Sequence, residues 1–144
     1  MSQNLKELNL KNISNQELKY DDRRYVGQVV NGLKEGKGIM YYNNGNRYEG
    51  DFKKDYAEGK GITFYNNGDK YEGEYRIGKK EGKGIFYFKN GNKYEGDWKN
   101  GKKEGKGIFY YNNGDRFMGD YFNDLPKGQF VILTPNGEVK VNTY

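Results

Sequence analysis

The side chains able to do chemistry in this chain are carboxylates, lysines and tyrosines, and they recur at fixed intervals. Glu35, Glu58, Glu81 and Glu104 stand 23 residues apart, and Lys79, Lys80 and Lys83 return as Lys102, Lys103 and Lys106. Paired carboxylates can perform acid/base hydrolysis, but that chemistry needs one singular constellation. Carboxylates repeated at equivalent positions of every unit behave as surface residues instead. The chain contains no His and no Cys. That removes the commonest general acid/base, the Ser-His and Cys-His nucleophile pairs, the thiolate metal site and any disulfide frame. Gly105-Lys106-Gly107 has the spacing of a phosphate loop, but no helical pattern follows whose N-terminus could hold a phosphate. No catalytic residue, cofactor or metal ligand is expected, and the chain is not expected to be an enzyme.

The lysines support a different chemistry. Lys79, Lys80, Lys83, Lys102, Lys103 and Lys106 lie in stretches that read as turns of adjacent units. Each could contribute roughly 1 kcal/mol near an anionic membrane surface, although Glu81 and Glu104 interrupt the cluster. Aromatics interleaved with lysines could also stack the bases of a single strand. Nucleic acid ranks lower as a partner, because the rings are needed to build a core. The net charge of +5 is mild and interspersed, as on an ordinary solvated surface.

The elements that position these residues follow from a strict period. Tyr94 to Arg116 reads YEGDWKNGKKEGKGIFYYNNGDR, and related blocks begin at Tyr25, Tyr48, Tyr71 and Phe117, without insertion or deletion. A fixed period of this size marks a repeat array. Only 33% of residues are hydrophobic and half of those are aromatic, which suits a thin apolar layer shared between stacked neighbours. With the opening aromatic as position 0, positions 0, 2 and 4 read Tyr94, Gly96 and Trp98, and the alternate positions are Glu95, Asp97 and Lys99. This period of two predicts a strand with one apolar and one wet face. Positions 6 to 10, with Asn100-Gly101, read as a turn. Positions 11 to 17 form a β-branched and aromatic run, and Asn112-Asn113-Gly114-Asp115 turns the chain again. Gly at position 2 leaves room for rings from the next strand.

The expected fold is therefore all-β: one elongated antiparallel meander sheet of 23-residue β-hairpins, about ten strands over residues 25–139. Residues 25–144 form the array. Residues 1–24 form an N-terminal extension, in which Ser14 and Glu17 could cap a short helix at about 15–20; a tail packed on the first hairpin and a docking peptide are the other readings. On the second strand, positions 14 and 16 are also apolar, as in Ile62/Phe64, Ile85/Tyr87 and Ile108/Tyr110. Both faces thus carry an apolar row.

These blocks resemble the MORN (membrane occupation and recognition nexus) repeat family, with its Tyr-Glu-Gly-acidic-aromatic opening, Gly-x-Gly-x-aromatic middle and Asn-Gly or Asp-Gly close. Residues 48–116 match closely. Residues 25–47 carry Val26 and Val29 at the Glu and aromatic positions. In 117–139, Pro126 is expected to break the turn and Phe130 replaces the second Gly, so this block reads as a degenerate cap. Family members often have His at position 10, where this chain has Glu.

The resemblance implies a non-catalytic scaffold or adaptor, a small subunit of a larger cytoskeletal or ciliary assembly, with homodimers also known in the family. The partner is expected to be a protein, offered as a helix or extended peptide to an aromatic groove. Candidate contacts are Tyr48, Phe52, Tyr71, Tyr75, Tyr94 and Trp98, spaced as a ladder of shallow pockets, together with Phe64, Tyr87 and Tyr110 of the second-strand row. The alternative is a peripheral adaptor on acidic phospholipid, held by the six lysines. With no signal or transmembrane pattern, a cytoplasmic location is expected.

Overall fold

The computed structural model describes residues 13–144. They form one sheet of twelve antiparallel strands in sequence order: β1 (Ile13–Lys19), β2 (Arg23–Val30), β3 (Leu33–Tyr42), β4 (Arg47–Lys53), β5 (Tyr56–Phe64), β6 (Lys70–Arg76), β7 (Lys79–Tyr87), β8 (Lys93–Lys99), β9 (Lys102–Tyr110), β10 (Arg116–Phe122), β11 (Leu125–Leu133) and β12 (Val139–Thr143). The hairpins β2–β3, β4–β5, β6–β7, β8–β9 and β10–β11 coincide with the five sequence blocks. Among the described residues no helix is long and apolar enough to cross a membrane.

Each hairpin turns on two residues rather than five. Asn31-Gly32, Lys54-Asp55, Ile77-Gly78, Asn100-Gly101 and Asn123-Asp124 all have positive φ at both positions, the geometry of a type I′ turn, whose twist matches that of the strands it joins. The second strand therefore starts at position 8, and Lys102, Lys103 and Glu104 belong to β9 rather than to a turn. The fifth hairpin keeps the same turn, because Pro126 lies three residues beyond Asn123, within β11 opposite Tyr121. Pro126 thus does not break it.

A bulge divides each central hairpin. In β4–β5, Gly50 faces Gly61 but Phe52 faces Ala57, so Glu58, Gly59 and Lys60 oppose Asp51 alone. The position 3 side chain closes the bulge: Gln28, Glu74 and Asp97 accept hydrogen bonds from the backbone N–H of Lys37, Lys83 and Lys106 at 2.9, 2.7 and 3.2 Å. This is the physical role of the fourth residue of the Tyr-Glu-Gly-acidic opening.

Both margins of the sheet are stapled from one repeat to the next. On one margin, Glu35, Glu58, Glu81 and Glu104 accept from the turn N–H of Lys54, Ile77, Asn100 and Asn123 at 2.9–3.2 Å. The residue in the His position of the family is therefore a turn cap. On the other margin, Asn46, Asp69 and Asn92 accept from the N–H of Asn66, Lys89 and Asn112 at 2.8–2.9 Å.

The helix expected at about 15–20 is a strand. β1 pairs along its whole length with β2, from Ile13 opposite Val30 to Lys19 opposite Arg24. The edge of β2 presents a row of N–H and C=O groups that a strand satisfies and a one-turn helix would not. Leu18 packs against the buried core, and Glu17 pairs with Arg24 at 3.4 Å rather than capping a helix. Leu5, Leu8 and Leu10 lie outside the described residues.

Candidate partner-binding site

One face of the sheet is built on glycine pairs. Gly50 sits between Gly38 of β3 and Gly61 of β5; the ring of Tyr48 lies over Gly50 and Gly61, and that of Tyr25 over Gly38. A Cβ on Gly61 would fall 2.4 Å from the Tyr48 ring, and one on Gly50 would fall 2.7 Å from its hydroxyl. In the four matched repeats the ring covering each position 2 glycine thus comes from its own strand, not from the next strand as the spacing suggested, and the same ring covers the position 13 glycine on the other strand of the hairpin. The reason is a hydrogen bond. The hydroxyls of Tyr25, Tyr48, Tyr71 and Tyr94 donate to the carbonyls of Gln28, Asp51, Glu74 and Asp97, three residues on, at 2.7–3.0 Å. Each tyrosine therefore lies along its strand and satisfies a carbonyl at the bulge. In the last block Phe117 lacks the hydroxyl, and Phe130 fills the equivalent space over Gly119.

The position 0 and position 4 rings then interleave. Tyr25, Phe52, Tyr48, Tyr75, Tyr71, Trp98, Tyr94, Tyr121, Phe130 and Tyr144 form one continuous edge-to-face chain, with centroids 4.9–5.4 Å apart and planes near perpendicular. This is the favoured arrangement for aromatic quadrupoles. Trp98 also donates its indole N–H to the carbonyl of Gly84 at 3.1 Å. The candidate residues Tyr48, Phe52, Tyr71, Tyr75, Tyr94 and Trp98 are all brought together, at 0–7% exposure. They form the core, and their rings fill the pockets that a spacing of about 10 Å between repeats would have left.

Burial has an electrostatic consequence. Loss of water pushes the phenol of Tyr25 up to about 12, with the Tyr20 phenol and the Asp55 and Glu35 carboxylates adding to the rise. It likewise pushes Tyr121 to about 12 and raises Tyr48, Tyr71, Tyr75 and Tyr94 further.

A second aromatic row lies beside this chain on the same face and was not singled out as a site in the sequence. Tyr65, Phe86, Phe88, Phe109, Tyr111 and Phe117 run from the second repeat to the fifth, with successive centroids 4.7–5.6 Å apart. All but Tyr111, which is exposed, are half-buried. Positions 15 and 17 supply all but Phe117, which opens the fifth block, and their aromatic recurrence was the available signal.

Two of the six candidate lysines point into this face. The ammonium of Lys80 sits 5.0–5.6 Å from the ring centres of Tyr65, Tyr71, Phe86 and Trp98, and Lys103 sits 5.2–5.7 Å from Tyr94, Phe109 and Tyr121. Burial lowers the pKa of both, with Asp124 opposing it in each case. They belong to the inward row of β7 and β9, which is why they do not join Lys79, Lys83, Lys102 and Lys106 at the exposed surface. Lys83 is moreover paired with Asp97.

The opposite face carries Ile62, Phe64, Ile85, Tyr87, Ile108 and Tyr110, all half-buried. Cations cover its rings: Arg47 lies 4.3 Å over Phe64, Lys70 4.5 Å over Tyr87 and Lys93 4.6 Å over Tyr110. A shallow groove of about 760 Å³ crosses this face, floored by glycine backbone and Ile62 and Ile85, and edged by Glu49, Glu72 and Glu95. Among the described residues, no cluster of His, Cys, Asp and Glu could hold a metal ion.

A single-layer sheet of stapled hairpins with an internal aromatic chain defines a β-hairpin repeat array. The family model of the MORN repeat matches residues 25–47, 48–70, 71–93 and 94–116, in register with the first four hairpins. The chain belongs to the MORN repeat family. No curated protein matches the sequence at a significant level. Among solved structures, the chain is similar to the TCP domain of SAS-4 (dCPAP) from Drosophila melanogaster, in complex with a proline-rich motif of Ana2 (dSTIL). Identity is 16% over 90% of each chain. The TM-score is 0.28, too low for the likeness to bear on function.

Proposed function

We propose that this protein is a non-catalytic scaffold that holds a protein segment along the face bearing the aromatic chain, as a small cytoplasmic subunit of a larger cytoskeletal or ciliary assembly. The observation that supports this most is the row Tyr65, Phe86, Phe88, Phe109, Tyr111 and Phe117. It is continuous and partly exposed, and no second layer covers it among the described residues. A partly exposed aromatic strip of that length suits an extended or helical partner. The buried rings beneath hold the strip rigid, so little order is lost on binding.

The membrane alternative has weaker support. Lys80 and Lys103 face rings rather than solvent, and Lys83 is neutralised by Asp97. The test is capture of partners from native extract, read by mass spectrometry beside a melting curve. Phe88→Thr with Tyr111→Thr should abolish capture at little cost in melting temperature. Tyr87→Thr with Tyr110→Thr, on the opposite face, should leave it intact. The reverse pattern would move the interface to the other face. Loss of liposome binding when Lys79 and Lys102 are reversed to Glu, with protein capture unaffected, would favour the membrane reading.

A further inference from the structure

The inward row at position 9 holds Lys34, Ala57, Lys80 and Lys103 in the four matched repeats. Three lysines lie among rings; the second repeat has a methyl group. Shifted back by 23 residues, the four rings around the Lys80 ammonium correspond to Tyr42, Tyr48, Thr63 and Tyr75. All four of these line a cavity of about 290 Å³ that also reaches Ala57, Met40 and Phe52. The cavity is thus an unfilled copy of the slot that the chain elsewhere fills with its own lysine.

We propose that this slot receives a lysine side chain from the bound partner segment, a specificity element that rests on the scaffold reading above. The molecule itself supplies the precedent. Lys80 is held over four ring faces with no carboxylate within salt-bridge distance among the described residues. Alkyl packing and ring quadrupoles surround the ammonium, and Asp124 acts on it only from beyond salt-bridge distance. In the vacant copy, Tyr42, Tyr48 and Tyr75 keep three of the four rings.

The fourth ring is replaced by Thr63, whose hydroxyl is hydrogen-bonded to that of Tyr75. A hydroxyl pair shares one proton in its mutual bond and keeps lone pairs for an ammonium donor, so the substitution adds an acceptor where Phe86 has none. Two cations also line the cavity, and both are engaged. Lys34 is paired with Asp55 at 3.2 Å, and the Arg23 guanidinium lies 5.3 Å over the Tyr20 ring.

The test is a titration of the intact chain, followed by NMR on the methyl groups of Met40, Ala57 and Thr63. The probes are acetyl-Gly-Lys-Gly-amide and its norleucine counterpart, which has the alkyl stem without the ammonium. The lysine peptide should shift these methyls and bind at least about fivefold tighter than norleucine, as roughly 1 kcal/mol of cation–ring attraction requires. Ala57→Lys, which fills the slot from within, should remove the shifts. Thr63→Phe, which restores the ring of the neighbouring repeats, should weaken them independently, so a folding defect in one variant does not decide the matter. Equal or tighter binding of norleucine, or no shift with either peptide, overturns the proposal. If partner capture survives in Ala57→Lys, the slot is not used by that partner, while the scaffold reading stands on its own test.

Discussion

At the scale of the residue, the hydroxyl of each position 0 tyrosine matters as much as its ring. Tyr71→Phe keeps the packing but leaves the Glu74 carbonyl, now bonded at 3.0 Å, without its donor. A loss of about 1 to 2 kcal/mol is expected by urea denaturation. Tyr71→Ala also opens a cavity and should cost about 3 kcal/mol or more. Gly73→Val places a Cβ 2.5 Å from the Gly84 Cα and 2.6 Å from the Lys83 carbonyl oxygen. Backbone cannot step aside there, so a loss of at least about 3 kcal/mol is expected. The same tyrosines set the alkaline limit of the fold. Tyr25 and Tyr121 are raised from 10.0 to about 12 by burial. Their contribution is fully present below pH 10, where both states are protonated. It is lost as pH rises from 10 toward 12, where the unfolded chain has released protons that the folded chain retains. Lys80 acts with the opposite sign: burial lowers it below 10.5, so its deprotonation adds stability on the approach to that pH. Unfolding free energy should hold or rise slightly up to about pH 10 and then fall, and the buried rings should contribute their tyrosinate absorbance only together with unfolding. The full tyrosinate absorbance of all the rings, reached at the ordinary pH while the protein is still folded, would refute the burial argument.

At the scale of the element, the two-residue turn decides the hairpin. Ile77 is a β-branched, exposed residue held at φ 47° in the first position of a type I′ turn, a conformation that costs such residues of order 1 kcal/mol or more. Ile77→Asn creates the Asn-Gly pair that Asn31-Gly32 and Asn100-Gly101 already use, and should raise stability by about 1 kcal/mol. Glu58→Ala removes the acceptor bonded to the Ile77 N–H at 2.9 Å and should lower stability by about 1 kcal/mol. Both are measured by thermal and urea melts. The hairpins themselves were legible in the sequence, because Tyr94-Gly96-Trp98 alternates with charge and the 23-residue period repeats the pattern in phase. The strand β1 was not, since Leu18 alone carries its inward pattern and its partner is the backbone edge of β2, which leaves no mark in side-chain types. The aromatic face was legible as a set of residues but not as a core. Interleaving of position 0 with position 4 of the next repeat depends on the tyrosine-to-carbonyl bond, which no spacing rule reveals. Lys80 and Lys103 read as solvated turn charges only while the turn was taken to be five residues long; a two-residue turn flips position 9 inward, because side chains alternate across a strand.

At the scale of the whole molecule, the principal contacts of every strand are with its neighbours in sequence, two for each inner strand and one for β1 and β12. Stability is then a sum of repeat and neighbour terms. Amide exchange should be slowest in β4–β9, where each strand is stapled on both sides, and fastest in β1 and β12. Uniform protection from end to end would show that the array melts as one block. Folding should also be fast for an all-β protein, since no pairing closes a long loop. The same order of strands governs how the protein meets force. A pull between the first and last strands runs across the strands rather than along them, so it loads the hydrogen bonds of one hairpin at a time, like a zipper opened from its end. Each repeat that peels away releases about 75 Å of chain, at about 3.3 Å for each of its residues. A sheet of this design yields in small, reversible steps at low tension instead of resisting until it ruptures.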